Sequence, residues 1–215
     1  MYLSCDRKTI TDFSDENINS LYNVGYVFTR VGKGVIDQTR SIRIDLSKFE
    51  LSSENRRILR KTEDINLKIE NLPYSNYDWT IGKMAKDFYT TKFGDGTFSA
   101  NKTKELLTDK EKSSFNKLFI YSLENKIIGY CVAAETNGII HYCYTFYDLD
   151  NSPKDIGLGM MTRAVTWAKE NNKKYIYLGS FQRPTDTYKL QFSGIEWFDG
   201  EKWNNDLEEL KMITQ

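Results

Sequence analysis

From Lys117 onward the chain changes its hydrophobic period, and the order of those periods limits the available folds more than any other feature. The runs "KLFIYSL", "IIGYCVAAE" and "IIHYCYTFYDLD" are separated by the turn signals "ENK" and "TNG", so they read as a three-stranded antiparallel meander. After "NSPKD" the period moves from two to about 3.6, with Met161, Ala164, Val165 and Ala168 on one face of a helix that ends near Asn171 and Asn172. "KKYIYLGSF" then returns as a strand. A strand, a glycine turn, a helix and a strand in that order make a right-handed crossover, with the last strand parallel to the one ending at Asp148.

Three antiparallel strands feeding such a crossover resemble the GCN5-related N-acyltransferase core. The expected fold class is therefore α+β (α/β): a mixed, mainly antiparallel sheet flanked by helices, with a smaller N-terminal lobe. In that lobe "TDFSDENINSLYNVGYVF" suggests a short helix entering a strand, and "RSIRIDLSKF" alternates like a strand. "SSENRRILRK" begins a helix capped by Ser52 or Ser53, and "YDWTIGKMAKDFYTTKF" reads as another. The segment 94–116, rich in Lys, Ser and Thr, is expected as a mobile excursion between the lobe, 1–93, and the core, 117–215.

Composition excludes several classes of chemistry. Lys plus Arg and Asp plus Glu are 30 each, so any nucleic-acid site must be a local patch. Cys5, Cys131 and Cys143 are widely spaced and His141 is the single histidine, which leaves too few ligands for zinc, haem or iron–sulfur chemistry. No metal and no bound cofactor are expected. "MYLSCDRKTI" has no apolar signal region and no run approaches membrane-spanning length, so a cytoplasmic protein with no membrane partner is expected.

The helix that opens at Gly157, Leu158 and Gly159 exposes unpaired backbone N–H groups, and its glycines let a phosphate approach closely. The pattern Lys154-Asp-Ile-Gly157-Leu-Gly159 partly matches the pyrophosphate turn of CoA-dependent acyltransferases. A tight strand-to-helix turn with no ligand accounts for the same glycines. The wider stretch carries more information. "FYDLD", "GLGMMTRAVTWAKENNKKYIYLGSF" and "YKLQFSGIEWFDGEKW" follow one another in an order that resembles the C-terminal half of the arginyl- and leucyl-tRNA–protein transferases. "SIRIDLSKFELSSENRRILRK" resembles that family's strand, serine turn and Arg-Arg helix, so the likeness covers most of the chain from about Gly25. The chain departs from the family at Leu149, which replaces a proline, at "GVIDQTRSIRI", which lacks clustered cysteines, and at "SFQRPTDTYK" after "YLG".

The resemblance implies a tRNA-dependent aminoacyltransferase that moves an amino acid from aminoacyl-tRNA, its co-substrate, to the amine of a protein N-terminus or a small acceptor. An aminoacyl ester is already activated, and an α-amine with a pKa of about 7.7–8.0 needs only a modest base, so no nucleophilic relay is required. Asp148, at the end of its strand, is the first choice to bind the acceptor ammonium and take its proton, with loop capping by Asp148 and Asp150 as the alternative. Tyr147 is placed to donate to the ester carbonyl or stack on the terminal adenine. Tyr188 and Lys189 occupy the family's YK position, where they reach the acceptor-end phosphate or ribose. Glu196, the family glutamate, either binds a cationic aminoacyl group or pairs with an arginine. Arg56, Arg57, Arg60 and Lys61 form a basic helical face suited to tRNA, and from Arg40 to Lys61 seven basic residues oppose three acidic ones. His141 and Cys143, alternating with Tyr142 and Tyr144, read as packing. Two other functions fit parts of the chain, a CoA-dependent N-acyltransferase and a non-catalytic reader of tRNA or N-termini.

Overall fold

The computed structural model describes residues 3–213. In chain order the elements are strand β1 (Asp6–Thr9), helix α1 (Asp15–Asn23), β2 (Tyr26–Phe28), β3 (Val35–Gln38), β4 (Ser41–Asp45), α2 (Ser53–Lys61), β5 (Asn66–Asn71), α3 (Trp79–Phe93) and α4 (Ala100–Thr108). Then follow β6 (Lys117–Leu123), β7 (Lys126–Glu135), β8 (Ile139–Tyr147), α5 (Ile156–Glu170), β9 (Tyr175–Ser180), a 3-10 turn (Pro184–Gln191), β10 (Ile195–Phe198), β11 (Trp203–Asn204) and α6 (Leu207–Met212).

The meander and crossover form as their periods require. β6, β7 and β8 pair antiparallel in sequence, and β9 returns parallel to β8. This is the GCN5-related acyltransferase order. They belong to an eight-stranded sheet ordered β11-β10-β4-β9-β8-β7-β6-β5. A three-stranded sheet, β1-β3-β2, stands apart from it.

Two strands of the 1–93 segment lie inside the large sheet. β5 pairs with β6 at its edge, and β4 sits between β9 and β10. The pattern "SIRID" is buried along almost its whole length, as a strand covered on both faces must be. Segment 94–116 holds α4, capped by Ser99, with Leu106 and Leu107 buried. Its polar residues made it read as an excursion, whereas its two leucines anchor it to the core.

Side chains alternate between two cores, one on each face of the large sheet. Phe119, Tyr121, Ile140 and Tyr142 pack with Met160, Ala164, Val165 and Ala168 of α5. Leu118, Ile120, Val132 and Phe146 pack with Tyr22 of α1, Ile81, Ala85 and Phe88 of α3, and Leu107 of α4. α2 lies against α5. It opens with a capping box in which Ser52 accepts from Asn55 N–H and Asn55 accepts in return.

Candidate active site at the parting of two parallel strands

β8 and β9 pair only from Ile139 opposite Tyr175 to His141 opposite Tyr177. Beyond that pair each strand carries a bulge. On β8, Ala133 faces Tyr142 and Val132 faces Tyr144, which leaves Cys143 as the extra residue. On β9, Ser41 faces Ser180 and Arg43 faces Tyr177, so Leu178 and Gly179 together oppose Ile42. Gly179 has φ +75 and a Cβ there would meet nothing within 4 Å. A bulge bends its strand and raises the local twist. The β8 bulge faces β7 and the β9 bulge faces β4, just past the last β8–β9 pair, at the carboxyl ends of parallel strands, where α/β sheets bind ligands. The bulge also breaks the alternation expected of β8, since Cys143 and Tyr144 both pack on the α3–α4 face.

Lys189 projects from the 3-10 turn into this region. It is buried, and its Nζ donates to Ser180 O at 2.6 Å. No carboxylate lies within 4.0 Å of it among the described residues, because Asp186 Oδ2 is taken by the backbone N–H groups of Gln182 and Arg183. Burial pushes the Lys189 ammonium below its ordinary pKa, with the Asp186 charge acting the other way. His141, 1% exposed, stands at the vertex. Tyr22 Oη accepts from Phe28 N–H at 3.0 Å and shares a hydrogen bond with His141 Nδ1 at 2.9 Å. His141 Nε2 has no hydrogen-bond partner among the described residues. Burial, with the Lys189 charge, lowers the His141 pKa to about 3. Burial raises the Cys143 thiol to about 12 against the fields of Lys189 and Arg30. A neutral imidazole and a protonated thiol make no nucleophilic relay.

Tyr147 is half-buried and packs edge-on to Phe88 with centroids 4.7 Å apart. It also explains one glycine of the turn, since a Cβ on Gly157 would lie 3.3 Å from the Tyr147 ring and hydroxyl. A Cβ on Gly159 would lie 2.7 Å from Thr62 Cγ2 and Oγ1, at the end of α2. The α5 N-terminus itself is open. Asp155 at the cap has φ 69, makes no side-chain cap bond, and instead pairs with Lys61 at 3.2 Å. The fold thus brings the basic helix to the glycine turn. Arg57 is tied to Glu54 at 2.5 Å, whereas Arg56 and Arg60 are exposed and make no ion pair among the described residues.

At Asp148 and Glu196 the geometry matches the structural alternative, loop capping and an arginine pair. Asp148 accepts from Asp150 N–H and Asn151 N–H, both at 3.0 Å, and from Asn151 Nδ2 at 2.9 Å, with Lys126 at 3.9 Å. Burial pushes its carboxyl up, but these donors and the lysine outweigh it and hold the pKa below the usual value. A carboxylate so satisfied caps the loop and is a poor base. Glu196 pairs with Arg43 at 2.7 Å and with Lys48 at 3.3 Å, while the Arg43 guanidinium lies 3.9 and 3.8 Å from the Tyr175 and Trp203 rings. It closes a structural ion pair across β4 and β10. Tyr188 is exposed beside Lys189, 5.8 Å from ring centroid to Nζ. The sequence reading missed the Tyr22–His141 bond, both bulges and the position of Arg30. The glycine of "YLG" was the one signal for the second bulge.

Residues 72–199 match the family described as "Arginine-tRNA-protein transferase, C terminus". The aspartate/glutamate leucyltransferase of Saccharophagus degradans is 24% identical over 92% of this chain and 89% of its own length. That of Pseudoalteromonas atlantica is 21% identical over 94% and 91%. In fold, the chain is similar to L-PGS from Bacillus licheniformis, with a TM-score of 0.52 and 15% identity over 92% of this chain and 68% of that one. No helix among the described residues is long and apolar enough to cross a membrane. The acyltransferase core stands beside a basic helix, and a family match over more than half its length shows that the chain belongs to the arginine-tRNA–protein transferase family and is a tRNA-dependent aminoacyltransferase.

Proposed function

We propose that the protein transfers leucine from leucyl-tRNA to the α-amine of proteins that begin with Asp or Glu. The observation that carries the chemistry is a buried lysine without a counter-ion at the parting of β8 and β9, in a site that holds no nucleophile. The identities of donor and acceptor follow the names of the relatives.

In this reading the acceptor-end phosphates of the tRNA meet the N–H groups of Gly157 and Leu158 and the cations of α2, Arg56, Arg57, Arg60 and Lys61. The ester enters the site past Tyr188, with the Tyr147 hydroxyl as donor to its carbonyl. Lys189, whose ammonium burial disfavours, takes a proton from the acceptor ammonium. The freed amine attacks the ester carbon and the N–C bond forms. Lys189 gives the first proton to water, takes the second from the attacking nitrogen and passes it to the ribose oxygen as the C–O bond breaks. Bringing both partners into one site supplies most of the acceleration such a reaction needs.

The test is transfer of label from leucyl-tRNA, arginyl-tRNA and acetyl-CoA to peptides differing in their N-terminal residue. Leucine reaching the Asp and Glu peptides is the expected result. Transfer from acetyl-CoA alone makes the open α5 terminus a pyrophosphate site and overturns the reading. Lys189→Met is expected to abolish transfer while leaving the Kd for leucyl-tRNA within about twofold, because the phosphate contacts lie elsewhere.

A further inference from the structure

Arg30 follows β2 and packs between the segment before α4 and β8. Its Nη2 donates to Thr97 O at 2.6 Å, and its guanidinium carbon lies 4.8 Å from the Phe98 ring centroid and 5.9 Å from that of Tyr144. Its other N–H groups have no hydrogen-bond partner, and no carboxylate lies within 4.0 Å, among the described residues. Arg43 pairs with Glu196, and Lys117 and Lys173 with Glu135, whereas half-buried Arg40 and Arg163 and buried Lys189, like Arg30, have no carboxylate within 4.0 Å among the described residues. A half-buried guanidinium that lacks an anion is costly, and two aromatic faces offset only part of that cost.

Its position says which anion it awaits. Arg30 lies beside the Tyr144 ring, next to the β8 bulge, and Lys189 donates to Ser180 O, next to the β9 bulge, so both cations border the level at which β8–β9 pairing ends. Tyr144, Cys143, Phe98 and α3 belong to one face of the large sheet. The α5 terminus, where phosphate would bind, belongs to the other. Tyr147 borders both cores and stands against Gly157 of that turn. A rigid fork with free N–H groups matches a carboxylate.

We propose that Arg30 selects acidic N-terminal residues in the acceptor, pairing with the side-chain carboxylate while Lys189 meets the α-amine. This rests on the leucyl-transfer reading above. The step is recognition, so Arg30 is a positioning residue.

The experiment measures kcat/KM with saturating leucyl-tRNA for peptides beginning with Asp, Asn, Glu and Gln, in the wild type, Arg30→Gln and Arg30→Lys. The expected result is that R30Q lowers the Asp-to-Asn ratio by about 100-fold, through KM for the peptide, and that R30K retains an intermediate ratio. KM for leucyl-tRNA should not change. A ratio within one variant is insensitive to partial loss of folded protein. R30Q retaining the wild-type ratio overturns the role of Arg30 but leaves leucyl transfer standing. So does R30Q raising KM for leucyl-tRNA at an unchanged ratio, which makes Arg30 a phosphate contact. A wild type that transfers no leucine overturns both readings.

Discussion

His141 titrates at its ordinary 6.5 in the unfolded chain and at about 3 when folded. Between those values the unfolded state holds the extra proton, so stability is present above pH 6.5 and is lost as pH falls towards 3. The slope is about 1.4 kcal/mol per pH unit at most. Since His141 is the single histidine, urea denaturation at pH 7.5, 6 and 5 should reveal this loss directly, and His141→Asn should flatten it. Gly159 offers a second test. Alanine there gains about 1 kcal/mol of helix propensity, but its Cβ meets the buried Thr62 at 2.7 Å. Overpacking of that kind costs about 1–3 kcal/mol. Gly159→Ala is expected to lower Tm, with partial recovery in the double variant Gly159→Ala/Thr62→Ala.

At the scale of the element, α2 does two things with one sequence. Asn55 and Ile58 turn inward, and Ser52 caps the start. Arg56 and Arg60, one turn apart, remain outside and make no ion pair among the described residues. If they contact tRNA phosphates, the double variant Arg56→Glu/Arg60→Glu should lower the slope of log Kd against log salt by about two, with Tm unchanged. Filter binding between 50 and 200 mM salt, a window of about the range over which such contacts show, measures it. A Tm loss with an unchanged slope would give these arginines a structural role. Lys61 is separate from this test, because it holds Asp155 at the α5 cap.

At the scale of the molecule, β4 is the strand on which the sheet depends. It joins β10 and β11 to β9, and Arg43 on it pairs with Glu196 across to β10. A fragment of residues 72–215 keeps the meander and crossover but exposes the edges of β9 and β10. It is expected to be unfolded or aggregated by circular dichroism and size exclusion, whereas a monomeric folded fragment would establish an independent core. The local elements were legible in the sequence because periodicity and capping are short-range: the meander, α5, the Ser52 cap and the "YIYLGS" strand all follow from residues within one segment. The family's ordered motifs pointed to the reaction for the same reason. What Asp148, Glu196 and Lys189 do was not legible. The first is consumed by its own loop, the second by Arg43 from more than 150 positions away in the chain, and the third is left unpaired by the backbone that occupies Asp186. By itself the sequence determined which segments become strands and helices and which chemistry they lack. Only the tertiary structure decided which charges meet a partner, because pairing depends on burial and on distances across the sheet that no local pattern encodes.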